Sequence, residues 1–125
     1  MNSETRVLVL DDEPIVGERL KPNLERAGFF VDVCTSSAQA LHMLKIDPYD
    51  ILVTDLKMSG ADGLDVLRAA RRIQPDIKAV VITGFATKET FDEAMESGAI
   101  EFIAKPFKMS QLRNLLLTLT GTKKG

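Results

Sequence analysis

RVLVLDDEP, residues 6–14, joins an apolar run to three acidic side chains and a proline. An uninterrupted apolar run is typical of a strand covered on both faces, as the strands of a parallel sheet are. Proline is favoured in the first turn of a helix, so Pro14 indicates that a helix follows. The stretch therefore predicts a buried strand, an acidic strand end and a helix, in that order.

The same strand-then-helix pattern occurs five times along the chain. The strand candidates are Arg6–Leu10, Phe30–Thr35, Ile51–Thr54, Ala79–Thr83 and Glu101–Ala104. The helix candidates are Ile15–Ala27, Ser37–Ile46, Leu64–Ile73, Lys88–Ser97 and a last helix that begins after Ser110 as its N-cap. Each right-handed crossover between parallel strands needs a helix-sized connection. The alternation therefore predicts an α/β fold with a parallel sheet between two layers of helices.

The composition of each strand indicates its place in the sheet. The first, third and fourth strands are continuously apolar, whereas the second alternates and the fifth begins with Glu101. Alternating or charged strands suit the edges of a sheet. We therefore predict a doubly wound, flavodoxin-like (βα)5 three-layer sandwich with the parallel order 2-1-3-4-5. Ligands bind such sheets beyond the carboxyl ends of the strands, where the order reverses between strands 1 and 3.

Length and charge restrict the class of protein. We expect residues 1–125 to form a single domain with its core at about residues 5–120. The net charge of -2 argues against nucleic acid and membrane surfaces as partners. The absence of a long apolar run argues against a membrane-spanning segment. We see no signal peptide, and the single Cys34 fits a buried strand thiol in a reducing cytoplasm. The predicted location is cytoplasmic.

Carboxylates end two strands that the predicted order places side by side. Asp11 and Asp12 follow the first strand, and Asp55 follows the third. One acid would suffice to cap the following helix, but it would leave the others unexplained. Carboxylates brought close together repel each other unless a cation is present. Hard oxygen ligands are those that Mg²⁺ prefers, so the sequence predicts a Mg²⁺ site here.

The remaining strand ends carry groups that suit phosphoryl chemistry. A carboxylate such as Asp55 can act as a nucleophile and take a phosphoryl group as an acyl phosphate. Thr83 ends the fourth strand before Gly84, where its hydroxyl could reach a phosphoryl oxygen. Lys105 ends the fifth strand and precedes Pro106, and a cis bond between them would hold the ammonium toward the carboxylates. This gives Pro106 a predicted structural role.

The motifs VLVLDDEP, ILVTDLKMSGADG, VVITGFA and FIAKPF closely resemble the receiver domain of bacterial response regulators of two-component signalling. The resemblance covers about residues 5–120 and implies that Asp55 is the phosphoacceptor. It implies Mg²⁺, or Mn²⁺ in its place, bound by Asp12, Asp55 and the backbone carbonyl of Lys57. Asp11 would hold the ion through water.

The resemblance also assigns roles around the phosphoryl group. Thr83 and Phe102 resemble the coupled hydroxyl and aromatic switch pair, and Lys105 resembles the phosphoryl-binding lysine. Lys57 and Phe85 correspond to positions beside the path of the hydrolytic water. A long stem and an aromatic ring at these two positions predict slow dephosphorylation.

The resemblance implies a switch with protein partners. The phosphoryl donor would be a sensor histidine kinase, with small phosphodonors as substitutes, and the signal would pass to an output domain or a downstream protein. Phosphorylation could also form a homodimer. The domain would catalyse only its own phosphoryl transfer and dephosphorylation, and would not contact nucleic acid or membrane. Two positions depart from the family or from helix rules: Ser59 stands where many relatives have proline, and Pro22 lies inside the first helix on its solvent side.

Three other classes of protein remain as alternatives. An aspartyl phosphatase of the haloacid dehalogenase type also combines Asp, Thr, Lys and Mg²⁺, but resembles a pattern with a second Asp where this chain has Lys57. A nucleotide- or flavin-binding module would need a first loop able to cradle phosphate, and DDEP would repel it. A degenerate receiver that serves only as a docking surface is disfavoured because every chemical position is filled.

Overall fold

The computed structural model describes residues 4–58 and 61–120. Five strands form one sheet, and five helices connect and flank them. The strands are β1 (Arg6–Leu10), β2 (Phe30–Cys34), β3 (Ile51–Asp55), β4 (Lys78–Thr83) and β5 (Ala99–Ala104). The helices are α1 (Pro14–Arg26), α2 (Ser37–Ile46), α3 (Gly63–Ile73), α4 (Lys88–Glu96) and α5 (Met109–Leu119). Lys57–Met58 and Ala61–Asp62 form a separate two-residue antiparallel pair between β3 and α3.

The sheet is parallel throughout, with the strand order β2-β1-β3-β4-β5. The predicted fold and order 2-1-3-4-5 are therefore confirmed, with the alternating β2 and the Glu101-containing β5 at the edges. In register, Leu10 of β1 lies beside Thr54 of β3, and Asp55 lies beside Ile82 of β4. The carboxyl ends of the three central strands consequently lie side by side.

Side chains of alternate strand residues fill cores on the two faces of the sheet. On one face, Val7 and Val9 of β1 pack in one cluster with Leu20 of α1 and Leu116 of α5. On the other face, Leu8 packs with residues of α2 and α3, and a third cluster packs β4 against α3 and α4. The central strands are covered on both sides, which explains their continuous apolar sequence.

Several element ends differ from the predicted ones. β5 begins at Ala99 instead of Glu101, because the register with β4 shifts after Ala79 and accommodates an extra residue. The predicted N-cap at Ser110 is wrong: α5 already begins at Met109, and the cap residue is Lys108 with no side-chain cap bond. α1 begins at Pro14, whose fixed φ suits the first helical position. Pro22 is exposed, as predicted for the solvent side of α1.

Candidate functional site

Three carboxylates meet at the carboxyl edge of the sheet. Asp11 directly follows β1 and Asp55 is the last residue of the adjacent β3. Carboxylate oxygens of Asp11, Asp12 and Asp55 all lie within 4.8 Å of one another. Asp11 is 2% exposed and Asp55 5% exposed, whereas Asp12 is half-buried. Two negative groups are therefore held close together and largely out of water.

Lys105 supplies a positive charge to this cluster. It directly follows β5, its peptide bond to Pro106 is cis, and its backbone N–H donates to the carbonyl of Thr83 at 2.8 Å. The ammonium Nζ lies 2.7 Å from Asp11 Oδ2 and 3.1 Å from Asp55 Oδ2. It thus bridges the ends of β1 and β3 from the far side of β4.

The pKa values follow from burial and from this ion pairing. Burial raises the pKa of Asp11 above its ordinary value, and the opposing effects of Lys105 and of the Glu13 amide are smaller. Burial by itself would lower the pKa of Lys105, but its hydrogen bonds to Asp11 and Asp55 outweigh this and raise it. Lys105 therefore stays positively charged at neutral pH.

The donor set fits a divalent cation. Asp11, Asp12 and Asp55 offer three hard oxygen donors, and among the described side chains the Lys105 ammonium is the cation that pairs with Asp11 and Asp55. A small divalent ion bound by carboxylates, water and a phosphate is the usual solution for such a set. The backbone of Lys57 pairs with Asp62 in the short antiparallel strands. The side chain of Lys57 and all of Ser59 lie outside the described part of the structure, so the predictions for them stay predictions.

The loop after β4 begins at a buried hydroxyl. Thr83 is fully buried, and its Oγ1 accepts a hydrogen bond from the backbone N–H of Phe85 at 3.0 Å. A hydroxyl that accepts this bond still has its own hydrogen to donate. Gly84 has open space where a side chain would begin, so a ligand can approach the loop backbone there. The register places Thr83 one residue beyond the neighbour of Asp55.

The two aromatic residues that the sequence singled out lie in different surroundings. Phe85 is 59% exposed, and its backbone bonds to Thr83 at the end of β4. Phe102 is half-buried in β5, packs against the cluster beneath α4, and meets Phe91 of α4 edge to face with ring centroids 5.5 Å apart. Phe102 therefore links β5 to α4, the helix that follows the Thr83 loop.

Two contacts at the site were not anticipated from the sequence. The Glu13 carboxylate lies 3.2 Å from Lys105 Nζ, and its backbone N–H donates to Asp11 Oδ1. The third acid of the run was the available signal for this contact. Gly63 begins α3 so close to β3 that a Cβ atom on it would lie 2.2 Å from the carbonyl oxygen of Asp55. Nothing in the local sequence distinguishes this glycine from an ordinary loop glycine.

Other residues considered from the sequence lie away from the site. Cys34 is buried in β2, where burial raises the pKa of its thiol to about 12, as expected for a structural thiol. His42 is exposed on α2. Among the described residues, no helix is both long and apolar enough to cross a bilayer.

Comparison with known proteins gives one consistent family. The family model described as the response regulator receiver domain matches residues 7–117. The C4-dicarboxylate transport transcriptional regulatory protein DctD of Rhizobium meliloti is 33% identical over 112 residues, which are 90% of this chain and 24% of DctD. The transcriptional regulatory protein QseB of Haemophilus influenzae is 30% identical over 96% of this chain and 54% of QseB. The chain therefore spans about a quarter to a half of these relatives.

Solved structures agree on the fold. A CheY-like response regulator receiver domain protein from Methanospirillum hungatei superimposes with a TM-score of 0.91 at 24% identity, covering 98% of this chain and all of that one. A response regulator from Burkholderia pseudomallei superimposes with a TM-score of 0.83 at 23% identity, covering 98% of this chain and 76% of that one. The second structure carries a phosphorylated aspartic acid, a calcium ion and citrate. At these identities, the likeness establishes the fold of the chain.

Proposed function

The chain belongs to the response regulator receiver domain family, and from this premise we propose that it is a switch phosphorylated on Asp55. Members of this family are signalling switches and not classical enzymes. The observation that carries the proposal is the arrangement of Lys105 between Asp11 and Asp55, with Asp12 completing the acidic cluster. These are the groups that phosphoryl transfer to a carboxylate needs.

The proposed reaction is a displacement at phosphorus. An oxygen of the Asp55 carboxylate attacks the phosphorus of a histidine kinase's phosphohistidine. A P–O bond to Asp55 forms as the P–N bond breaks, and the leaving imidazole takes up a proton. Asp11, Asp12 and Asp55, with the carbonyl of Lys57, would hold Mg²⁺, which neutralises phosphoryl charge. Lys105 would bind a phosphoryl oxygen from the other side, since its ammonium already lies 3.1 Å from Asp55.

The proposed readout is a change around α4, β5 and α5. The Thr83 hydroxyl would donate to a phosphoryl oxygen, and Phe102 would rotate as the Thr83 loop moves. The edge-to-face contact between Phe102 and Phe91 supports this route, because a turn of the Phe102 ring disturbs α4 directly. Phosphorylation acts by shifting an equilibrium between two packings, as family switches do.

The wider setting is part of the same proposal. The family partners are histidine kinases and output domains, and we propose both for this chain, with dimerisation as a further consequence of phosphorylation. We also propose a single receiver domain over residues 1–125, a cytoplasmic location and no contact with nucleic acid by this domain. Autodephosphorylation would be controlled by Lys57 and Phe85. The family match does not favour a haloacid dehalogenase-type phosphatase.

The direct test is chemical phosphorylation followed by intact-mass measurement. Acetyl phosphate or phosphoramidate with Mg²⁺ should add one phosphoryl group that is stable in acid and labile in base. Asp55→Asn should not be labelled, and chelation of Mg²⁺ should prevent labelling of the unaltered protein. The same labelling rate in Asp55→Asn would refute the assignment of the phosphoacceptor.

A further inference from the structure

The peptide unit of Phe85 is held at both ends by threonine hydroxyls. Its N–H donates to Thr83 Oγ1 at 3.0 Å, and its carbonyl accepts from Thr90 Oγ1 at 2.6 Å. Thr83 is the last residue of β4, and Thr90 lies in the first turn of α4. One residue of the connecting loop thus joins the end of the strand to the start of the helix through two hydrogen bonds.

Thr90 also belongs to the N-terminal cap of α4. Thr87 is the N-cap residue, and its Oγ1 accepts from the backbone N–H of Thr90 at 3.1 Å. In return, Thr90 Oγ1 accepts from the backbone N–H of Thr87 at 2.9 Å. This reciprocal pair is a complete capping box. It uses the Thr90 hydroxyl only as an acceptor.

The bond to Phe85 uses the other capacity of the same hydroxyl. A threonine hydroxyl has one hydrogen to donate, and the carbonyl of Phe85 at 2.6 Å is closer to Thr90 Oγ1 than the carbonyl of Thr87 at 3.1 Å. Capping of α4 does not require this donation. The Phe85 bond is therefore an additional tie between the helix and the loop.

α4 is a helix that such a tie can move. Ala94 is its one fully buried residue, whereas α1 buries Gly17, Leu20 and Leu24. Few buried contacts mean that a small free energy changes the position of an element. A Cβ atom on Gly84, between Thr83 and Phe85, would meet nothing within 4 Å, so the loop is unpacked on that side.

We propose that Thr90 is a positioning residue that couples Thr83 to α4 through the peptide of Phe85. The proposal rests on the proposed function, because it takes movement of Thr83 toward a phosphoryl group as its input. When Thr83 moves, its bond to Phe85 N–H pulls the peptide, and the peptide pulls Thr90 and the first turn of α4. The tie also fixes the backbone from which the Phe85 ring projects.

Substitutions can separate the tie from the cap. Thr90→Glu keeps an acceptor at the third helical position for the Thr87 N–H, as in a common capping box, but an ionised carboxylate has no hydrogen for the Phe85 carbonyl. Thr90→Ser keeps both bonds. Thr87→Ala removes the N-cap side chain and leaves the Thr90–Phe85 bond in place. Thr118→Glu adds the same charge on α5, away from the loop.

The experiment measures amide chemical shifts of these variants with and without beryllofluoride and Mg²⁺. Thr90→Glu should bind beryllofluoride with an affinity within about twofold of the unaltered protein, yet lose at least half of the ligand-induced shifts over Lys88–Glu96. Without ligand, its Phe85 N–H should exchange with solvent faster, by about 3- to 10-fold, because release of the Phe85 carbonyl loosens the peptide and with it the bond from the Phe85 N–H to Thr83 Oγ1. Thr90→Ser, Thr87→Ala and Thr118→Glu should keep the α4 shifts.

The outcomes distinguish this proposal from the proposed function. Full α4 shifts in Thr90→Glu, or an equal loss in Thr118→Glu, would overturn the coupling role of Thr90 while leaving phosphorylation of Asp55 intact. Loss of the α4 shifts in Thr87→Ala, which keeps the Thr90–Phe85 bond, would assign the effect to the helix cap and would also overturn the coupling role of Thr90. Failure of the unaltered protein to bind beryllofluoride would instead refute the proposed function. In that case, unchanged exchange of the Phe85 amide in Thr90→Glu would separately refute the tie.

Discussion

Replacement of Lys105 by methionine tests the electrostatic balance of the site. Lys105→Met keeps a long unbranched side chain but removes the ammonium that contacts Asp11 and Asp55. The Asp11 side chain is 0% exposed and that of Asp55 is 7% exposed, so both would lose a charged partner with little access to water. Removing one member of a buried ion pair costs about 3–5 kcal/mol. The Lys105 side chain is 18% exposed, which admits some solvent, so we expect a loss of about 2–3 kcal/mol of unfolding free energy.

The chain contains a matched control for this substitution. Lys88 Nζ lies 2.8 Å from Asp92 Oδ2 on α4, nearly the same distance as Lys105 from Asp11, but its side chain is 88% exposed. Exposed pairs of this helical spacing contribute about 0.3–0.5 kcal/mol. Lys88→Met should therefore have an effect several times smaller, because Lys88 is exposed and pairs with one carboxylate, whereas Lys105 is largely buried and contacts three.

Urea unfolding with and without a divalent ion measures both effects. In the presence of EDTA, Lys105→Met should show a lower midpoint with an unchanged dependence on urea. Mg²⁺ should restore part of the loss and stabilise this variant more than the unaltered protein, because the ion no longer competes with the ammonium for the carboxylates. An ion that binds only the folded protein, at 100 times its Kd, adds about 2.7 kcal/mol to the free energy of unfolding. A cost in Lys105→Met no larger than in Lys88→Met would refute the reasoning.

Three further predictions concern the loop, the switch and the start of α3. Phe85→Ala should speed loss of the phosphoryl group from Asp55 by up to about tenfold, if the ring excludes water with a barrier of about 1.4 kcal/mol; an unchanged rate would show that the ring does not cover the phosphoryl group. Thr83→Ala should still bind beryllofluoride but propagate smaller amide shifts over residues 84–97 and 102–116, and full propagation would contradict the role of the hydroxyl. Gly63→Ala should cost at least about 2 kcal/mol in urea unfolding, because its Cβ would lie 2.2 Å from the Asp55 carbonyl oxygen. Gly84→Ala, with open space around it, should stay within about 0.5 kcal/mol, and equal costs for the two glycines would contradict the close approach.

The sheet could be read from the sequence because burial on both faces leaves a direct mark on composition. β1, β3 and β4 contain uninterrupted apolar runs, and the strands at the two edges of the sheet, β2 and β5, are distinguished by their polar positions. The start of β5 could not be read in the same way. Its first residues, Ala99 and Ile100, enter the sheet through a shift in register with β4, and that shift depends on how two chain segments meet.

The same distinction applies to the site: contacts that follow from the strand order were predictable, and contacts that follow from helix entry angles or loop paths were not. The proximity of Asp11 and Asp55 could be predicted from the sequence, because parallel strands end at one edge of the sheet and the order of the strands was predictable. The contact of Glu13 with Lys105 and the approach of Gly63 to Asp55 depend on the entry angles of α1 and α3. The bond from Thr90 to Phe85 depends on the path of a loop. The local sequence carries no periodic signal for helix entry angles or for the path of a loop.

Different contacts of the site determine its stability and the transmission of the signal to α4. Lys105 bonds to Asp11, Glu13 and Asp55, so a positive charge stands ready whether Asp55 is free or carries a phosphoryl group. Thr83 contributes no charge to that balance: its hydroxyl accepts a hydrogen bond from the loop amide of Phe85 and lies at the start of the proposed route to α4. Removing the ammonium should therefore change folding free energy and metal dependence, whereas removing the hydroxyl should cost less folding free energy and should mainly change how far the signal travels. A variant of Thr83 that lost stability as Lys105→Met does would mean that the two functions share one set of contacts.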